Sequence, residues 1–209
     1  NNSYGTLGLS QISIDIYSFI KLKVGFMNHF YIVNKRLEEL SISYGLKNNN
    51  SNFLINEKES LIEIELNGDE NVNHSNSPHK TISFLIKRYK NHPLYKYRFL
   101  GIFCDNKMIS IFVFRKQFVN ENSCLRIVDM FGDLREIGCL YNSFQDLLIK
   151  ENAEYIDCLS TGEDFFEQIG FNRLNEKSNE ICPNYFEPFM KKNIRIGYAT
   201  NNTDDNYIL

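Results

Sequence analysis

The stretch GEDFFEQIGF, residues 162–171, decides how the second half of this sequence is read. Glu163 to Gln168 read as a short helix, and Gly170 stands just past its end. A residue there commonly takes a positive φ, which glycine enters without a Cβ clash, and the apolar Phe171 then folds back on the last turn. A helix that stops this sharply and returns at once to apolar sequence implies a neighbouring sheet for it to pack on.

The flanking sequence supplies that sheet. AEYIDCL (153–159) predicts a strand, and before it a helix from about 138 to 151 carries Leu140, Phe144, Leu147 and Leu148 on one face. CLRIVDM (124–130) predicts a further strand. YRFLGIFC (97–104) and MISIFVFRK (108–116) are β-rich runs around Asp105-Asn106-Lys107 and read as a hairpin. TISFLIKRYKNHP (81–93) has Ile82, Leu85, Ile86 and Tyr89 at helical spacing and ends at Pro93, which cannot extend a helix. NIRIGYA (193–199) reads as a closing strand. The order of helix, hairpin, strand, helix, strand, helix, strand predicts an α/β (α+β) fold, a mixed and mostly antiparallel sheet flanked by helices.

Composition divides the chain into three regions. Residues 1–47 are of mixed character, residues 48–79 form a polar linker or loop around one short strand, LIEIEL (61–66), and residues 80–209 are densely aromatic and aliphatic. With 209 residues, 43% apolar and 14% aromatic, the chain is globular and long enough for a substantial core. A net charge of −3 and a pI near 5.9 offer no basic face to nucleic acid or to an anionic membrane. The longest apolar runs, such as MISIFVF (108–114), fall far short of the ~20 residues of a membrane span. NNSYGTLGLS lacks the charged start and apolar run of a signal peptide, so a cytoplasmic protein is expected. Cys104, Cys124, Cys139, Cys158 and Cys182 contain no C-x-x-C and suit small buried positions in a reducing compartment. His29, His74, His79 and His92 show no metal-ligand spacing, and no metal is expected.

Three acids are candidates for chemistry. Asp129 and Asp157 lie within apolar strands, where a carboxylate is costly unless paired or used; either serves as a base or forms a salt bridge, for example with Arg126 or Arg115. Alternation sends the Asp129 side chain to the opposite face from Val128 and Met130. Glu187, between Phe186 and Pro188, is the third. His92, before a proline at a helix end, reads as a helix C-terminal residue.

This order, with GDLREIGCLYNSF (132–144) after the third strand and FFEQIGF (165–171) before the last ones, resembles the GNAT superfamily of acyl-CoA N-acyltransferases. That family's pyrophosphate loop is written Gln/Arg-x-x-Gly-x-Gly/Ala, and Arg135, Gly138 and Leu140 stand in its three places, with leucine where the family has a small residue. The resemblance spans about residues 80–200. It implies acetyl-CoA or another acyl-CoA as donor, with the diphosphate on the loop containing Gly132, Arg135, Gly138, Cys139 and Leu140 and the thioester carbonyl on strand amides around Met130. Amides at the start of a helix favour such an anion, while Asp133 and Glu136 oppose it. Many family members carry a tyrosine, four residues before the glycine of the Gly-Phe pair, that protonates the departing thiolate. Phe166 stands there and has no proton to give. Either the thiolate, with a thiol pKa of ~8.5, leaves unaided, or the site has lost catalysis.

RYKNHPLYKYRF, LRIVDMFGD and ICPNYFEPF further resemble GNAT-type proteins of bacterial surface-polysaccharide synthesis, which implies a small-molecule amine, such as an amino sugar, as acceptor, with Tyr95, Tyr97, Tyr185 and Phe186 as an aromatic lining. SIDIYSFIKLKVG (13–25) is similar to the helix–turn–strand at 165–171, with Tyr17 in the tyrosine place and Lys21-Leu22 for Gly-Phe. Residues 1–47 are therefore either the tail of a preceding module of the same fold or an unrelated helix and strand that complete one domain. The rival to an enzyme is a catalytically silent module of this fold; a Fem-like transferase with a charged-tRNA donor suits the acidic pI less well.

Overall fold

A computed structural model describes residues 5–48, 59–68, 70, 72, 81–132, 137–162, 165–175 and 177–201. In chain order the strands are β1 (Gly5–Leu9), β2 (Lys23–Phe26), β3 (Asn28–Val33), β4 (Glu59–Ile64), β5 (Tyr97–Cys104), β6 (Lys107–Val119), β7 (Asn122–Gly132), β8 (Tyr155–Ser160), β9 (Asn172–Arg173), β10 (Tyr185–Phe186), β11 (Phe189–Met190) and β12 (Gly197–Thr200). The helices are α1 (Gln11–Phe19), α2 (Ile82–Leu85, continued by a π-helical turn, Ile86–Lys90), α3 (Tyr141–Glu151) and α4 (Phe165–Gln168).

The protein is a mixed α+β fold built on mostly antiparallel strands. Seven strands form the main sheet in the order β4-β5-β6-β7-β8-β3-β9, and the β7–β8 pair alone among them is parallel. The hairpin expected at 97–116 is present with a tighter turn: Asp105 and Asn106 both take positive φ, as a two-residue hairpin turn needs, and Lys107 already belongs to β6. α3 starts at Tyr141, later than expected, because residues 137–140 approach it as irregular chain. It ends at Asn152, whose left-handed φ of 48° breaks the helix. Thr81 opens α2 by accepting from the Phe84 amide at 3.1 Å.

Two strands lie elsewhere than the sequence order suggests. β3, from the 1–47 region, sits inside the main sheet between β8 and β9. The closing strand β12 leaves that sheet and forms a separate three-stranded one, β1-β12-β2. Every residue of β3 from His29 to Val33 is buried, and its burial explains why so aromatic a run sits near the start of the chain.

Register assigns the side chains to two faces, since directly paired residues point the same way. On one face Leu100, Ile102, Phe112, Phe114, Ile127 and Met130 pack against Phe144 and Leu148 of α3 and Phe166 of α4 in the largest core cluster. On the other, Phe99, Ile111, Val113 and Phe131 pack under Ile82, Leu85 and Tyr89. Farther along this second face Tyr31, Val33, Cys124, Tyr155 and Cys182 form a third cluster beneath the 181–190 segment. Burying each large side chain contributes about 1.5–3 kcal/mol, so these layers hold the sheet from both sides. No helix among the described residues is long and apolar enough to cross a membrane.

Candidate functional site

Between the two clusters of the second face runs a row of polar residues. Tyr97 pairs with Arg115, Arg115 with Arg126, Arg126 with Asp157, and Asp157 with Tyr31, so a single transverse row crosses five strands. Arg126 and Asp157 are buried, as are the neighbouring His29 and Asp129. Charge placed in the middle of a folded sheet must be satisfied in place, and Asp157, in the row, and Asp129, beside it, are satisfied differently.

Around Asp157 the partners are ionic. Arg126 reaches it as a fork, Nε to Oδ1 at 3.0 Å and Nη2 to Oδ2 at 2.6 Å, and His29 Nε2 lies 2.7 Å from Oδ2. Nη1 also donates to the Asn184 carbonyl at 2.9 Å and Nη2 to the Pro183 carbonyl at 3.2 Å, which ties the 181–190 segment to the sheet. Burial alone would raise the Asp157 pKa, but the Arg126 charge and the hydrogen bonds from His29 and Arg126 outweigh it and hold the carboxyl below its ordinary range. Asp157 is thus the salt-bridge partner of Arg126, one of the two arrangements its sequence position allowed.

Cys182 completes a group in which the potential ligand atoms of His29, Asp157 and Cys182 lie within 4.8 Å of one another. Burial, then the Asp157 charge, push this thiol well above its usual pKa, which disfavours the thiolate a metal would need. A cation there would also face the Arg126 guanidinium. The group has the chemistry of an ion-pair network.

Asp129 is met by hydroxyl and amide. Tyr89 donates its hydroxyl to Oδ2 at 2.8 Å, and the Met130 amide donates to Oδ1 at 2.8 Å. Arg88 Nε in turn donates to the Tyr89 oxygen at 3.0 Å. Burial, then the Asp129 charge, raise the Tyr89 pKa, so the phenol stays protonated and remains a donor. A bulge places this aspartate: Val113 pairs with Asp129 and Phe114 with Ile127, which leaves Val128 over. Simple alternation would have separated Val128 from Asp129. Instead Val128 packs on the cluster that contains Val113, the cross-strand partner of Asp129.

The loop ahead of α3 is partly engaged from within. The Gly138 amide donates to Glu59 Oε1 at 2.7 Å, and the Leu140 amide donates to the Ile169 carbonyl at 3.0 Å. The Leu140 side chain lies in the main core, and the Cys139 sulfur is 3.9 Å from the Ile169 carbonyl. Arg135, Asp133 and Glu136 lie outside the described residues. Gly132 has a structural requirement of its own: its φ is +113°, and a Cβ there would come 2.5 Å from the Ile109 carbonyl oxygen. Phe166 is core, stacked on Phe30 at 5.2 Å and edge-on to Phe171 at 5.4 Å.

Glu187 is exposed and accepts from the Tyr95 hydroxyl at 3.1 Å. The Arg115 guanidinium lies over Tyr95, 4.4 Å from the ring centroid, and the His92 ring centroid is 5.3 Å from those of both Tyr95 and Tyr97. Phe186 covers the Arg126 guanidinium at 5.1 Å, and Tyr185 stands exposed beside it. The structure thus gathers Asp129, Asp157, Glu187, Tyr95, Tyr97 and Phe186 around one face of the sheet, whereas Gly138, Cys139 and Leu140 sit ahead of α3, on the other side. Sequence reasoning missed Tyr89 and His29 as polar partners. Tyr89 was visible only as one apolar position of a helical stripe, and His29 lies far along the chain from the residue it bonds.

Comparison with models of known protein families gives no match, and comparison with curated protein sequences gives none either.

Proposed function

We propose that this protein is a GNAT-type acyltransferase that moves an acetyl or other acyl group from coenzyme A to a primary amine on a small molecule, with an amino sugar as the acceptor class. The observation that carries the reading is the parting of β7 from β8. They pair in parallel over only Leu125–Ile156, Arg126–Asp157 and Ile127–Cys158, and immediately beyond this point β7 bulges at Val128 and presents Asp129. A gap between two parallel strands, followed in the chain by the α3 helix, suits an extended thioester arm laid along β7, with its diphosphate towards the start of α3.

In this reading the acceptor nitrogen attacks the thioester carbonyl carbon, a C–N bond forms, the C–S bond breaks, and coenzyme A leaves as thiolate. The ammonium proton passes to Asp129, directly or through water, while Tyr89 and the Met130 amide fix the carboxylate orientation. Since the Met130 amide is already given to Asp129, a neighbouring donor would have to polarise the carbonyl. Asp157 positions Arg126 and takes no proton in this scheme. Tyr95, Tyr185 and Glu187 line the acceptor side.

A second reading, a silent module of the same fold, is favoured by the Glu59 carboxylate on the Gly138 amide and by Phe166 in the core. Titration with coenzyme A tests both. Saturation to 100 times the dissociation constant should stabilise the fold by about 2.7 kcal/mol and move the amide resonances of Gly132 and Gly138. No rise in melting temperature and no movement at millimolar ligand would remove the acyltransferase and leave the silent module.

A further inference from the structure

Two distant stretches of this chain fold alike, down to individual hydrogen bonds. At the end of α1 the Ile20 amide donates to the Ile16 carbonyl, Lys21 to Ser18 and Leu22 to Tyr17; at the end of α4 Ile169 donates to Phe165, Gly170 to Glu167 and Phe171 to Phe166. Lys21 and Gly170, the matching positions, both have positive φ, 65° and 113°. Each helix joins two strands that are held apart by a third strand antiparallel to both, giving β1-β12-β2 in the first unit and β8-β3-β9 in the second. The inserted strands are exchanged. β3 follows β2 after Met27 alone yet enters the second unit, and β12 follows the second unit yet enters the first.

The units differ in what covers them. In the second, β7 runs parallel to β8, the Leu140 amide caps the Ile169 carbonyl, and Tyr141, at the start of α3, lies against Gly170. Ile169 is consequently 0% exposed. Its counterpart Ile20 is 56% exposed, and Ile12, Ile16 and Phe19 on the same helix are 73%, 59% and 88% exposed. β1 stands at the edge of its sheet, where β8 has β7. A contiguous apolar face of this kind, beside a strand edge that no strand pairs with among the described residues, marks an interaction surface.

We propose that β1 and the exposed face of α1 seat a second layer of the β7–α3 kind, a strand parallel to β1 followed by a helix whose first turn abuts Ile20. The repeat also fixes where this layer belongs in the chain. In the second unit the covering layer is the sequence that runs directly into β8, so in the first it is a segment of the same polypeptide that runs directly into β1. The protein is then a pair of like modules that trade one strand each. This holds whether or not either module transfers acyl groups.

The test uses the polypeptide as it occurs in its source cells, recovered with an antibody against this chain. Its intact mass should exceed 24.6 kDa, and in it the amides of Ile20, Lys21 and Leu22 should exchange with deuterium as slowly as those of Ile169, Gly170 and Phe171. The double variant Ile16→Asp, Ile20→Asp should speed exchange at those three amides at least tenfold in the long polypeptide, while the 209-residue chain carrying it melts as before. A recovered mass of 24.6 kDa overturns the proposal. So does a 209-residue chain that sediments as a dimer and is returned to monomer by the same double variant, because a second copy would then be the occupant.

Discussion

Asp129 and Asp157 stand on neighbouring strands, are both buried, and are treated differently by the fold. Asp157 lies in the fork of Arg126 with His29 against its second oxygen, whereas Asp129 takes a phenol hydroxyl and a backbone amide. The first arrangement pairs opposite charges in a low-dielectric layer and ties down the 181–190 segment through Arg126. The second orients a carboxylate beside the point where two strands part. Both acids are buried in strands, so burial does not separate them; in the proposed function Asp129 is the base and Asp157 positions Arg126.

The same substitution at both positions tests this difference. Asp157→Asn removes the charge opposite a buried guanidinium and should cost about 3–5 kcal/mol, seen as a lowered midpoint of urea unfolding. The pH dependence has a definite sign. Because the folded pKa of Asp157 is depressed, its contribution is complete above the ordinary aspartate value of ~3.9 and is lost as pH falls through the folded value. The parental protein should therefore lose stability below about pH 4, and Asp157→Asn should lose less over that range. Asp129→Asn keeps an acceptor for Tyr89 and should cost about 1–2 kcal/mol, yet cut acyl transfer by roughly 10²–10⁴. Equal losses of stability at the two sites, with turnover per folded molecule unchanged by Asp129→Asn, would erase the distinction.

Phe166 gives a smaller contrast within the core. Stacked on Phe30 and edge-on to Phe171 within the main apolar cluster, it would bring a new hydroxyl into the core. Phe166→Tyr should destabilise by about 1–3 kcal/mol and leave turnover per folded molecule as it was. Faster turnover would instead bring the thiolate to this position.

Local chemistry made much of the framework legible. The asparagine at the β5–β6 turn, the stop at Gly170 and the spacing of Phe144, Leu147 and Leu148 all act within a few residues, and the elements they define are present. Partners remote in sequence were not legible. Nothing in NHFYIV says that it enters the sheet between β8 and β9, and nothing near Glu154 says that its carboxylate will accept from the amides of Ser41, Ile42 and Ser43. The Val128 bulge likewise depends on β6, since one extra residue on β7 has meaning only against its partner strand. For the site, aspartates in apolar strands could be singled out, but their donors Tyr89, Arg126 and His29 could be assigned only once the register was known.

Glu187 should show the smallest effect, and it is informative for that reason. Unlike the two aspartates it is exposed, and its carboxylate meets the Tyr95 hydroxyl at the rim of the aromatic corner formed with Arg115 and Tyr97. Glu187→Gln keeps an oxygen to accept from Tyr95 and buries no new polar group, so stability should stay within about 0.5 kcal/mol of the parent. Any consequence must then appear in recognition. If an ammonium acceptor passes this rim, loss of the negative charge should raise KM for the amine severalfold, leave kcat unchanged, and weaken the salt dependence of kcat/KM, because the group acts on binding and not on the chemical step. If Glu187→Gln lowers kcat and leaves KM alone, the exposed acid belongs to the proton-transfer chemistry and Asp129 loses its claim to be the base. If it alters neither, the acceptor does not approach over Tyr95, and the aromatic corner is only packing around Arg115.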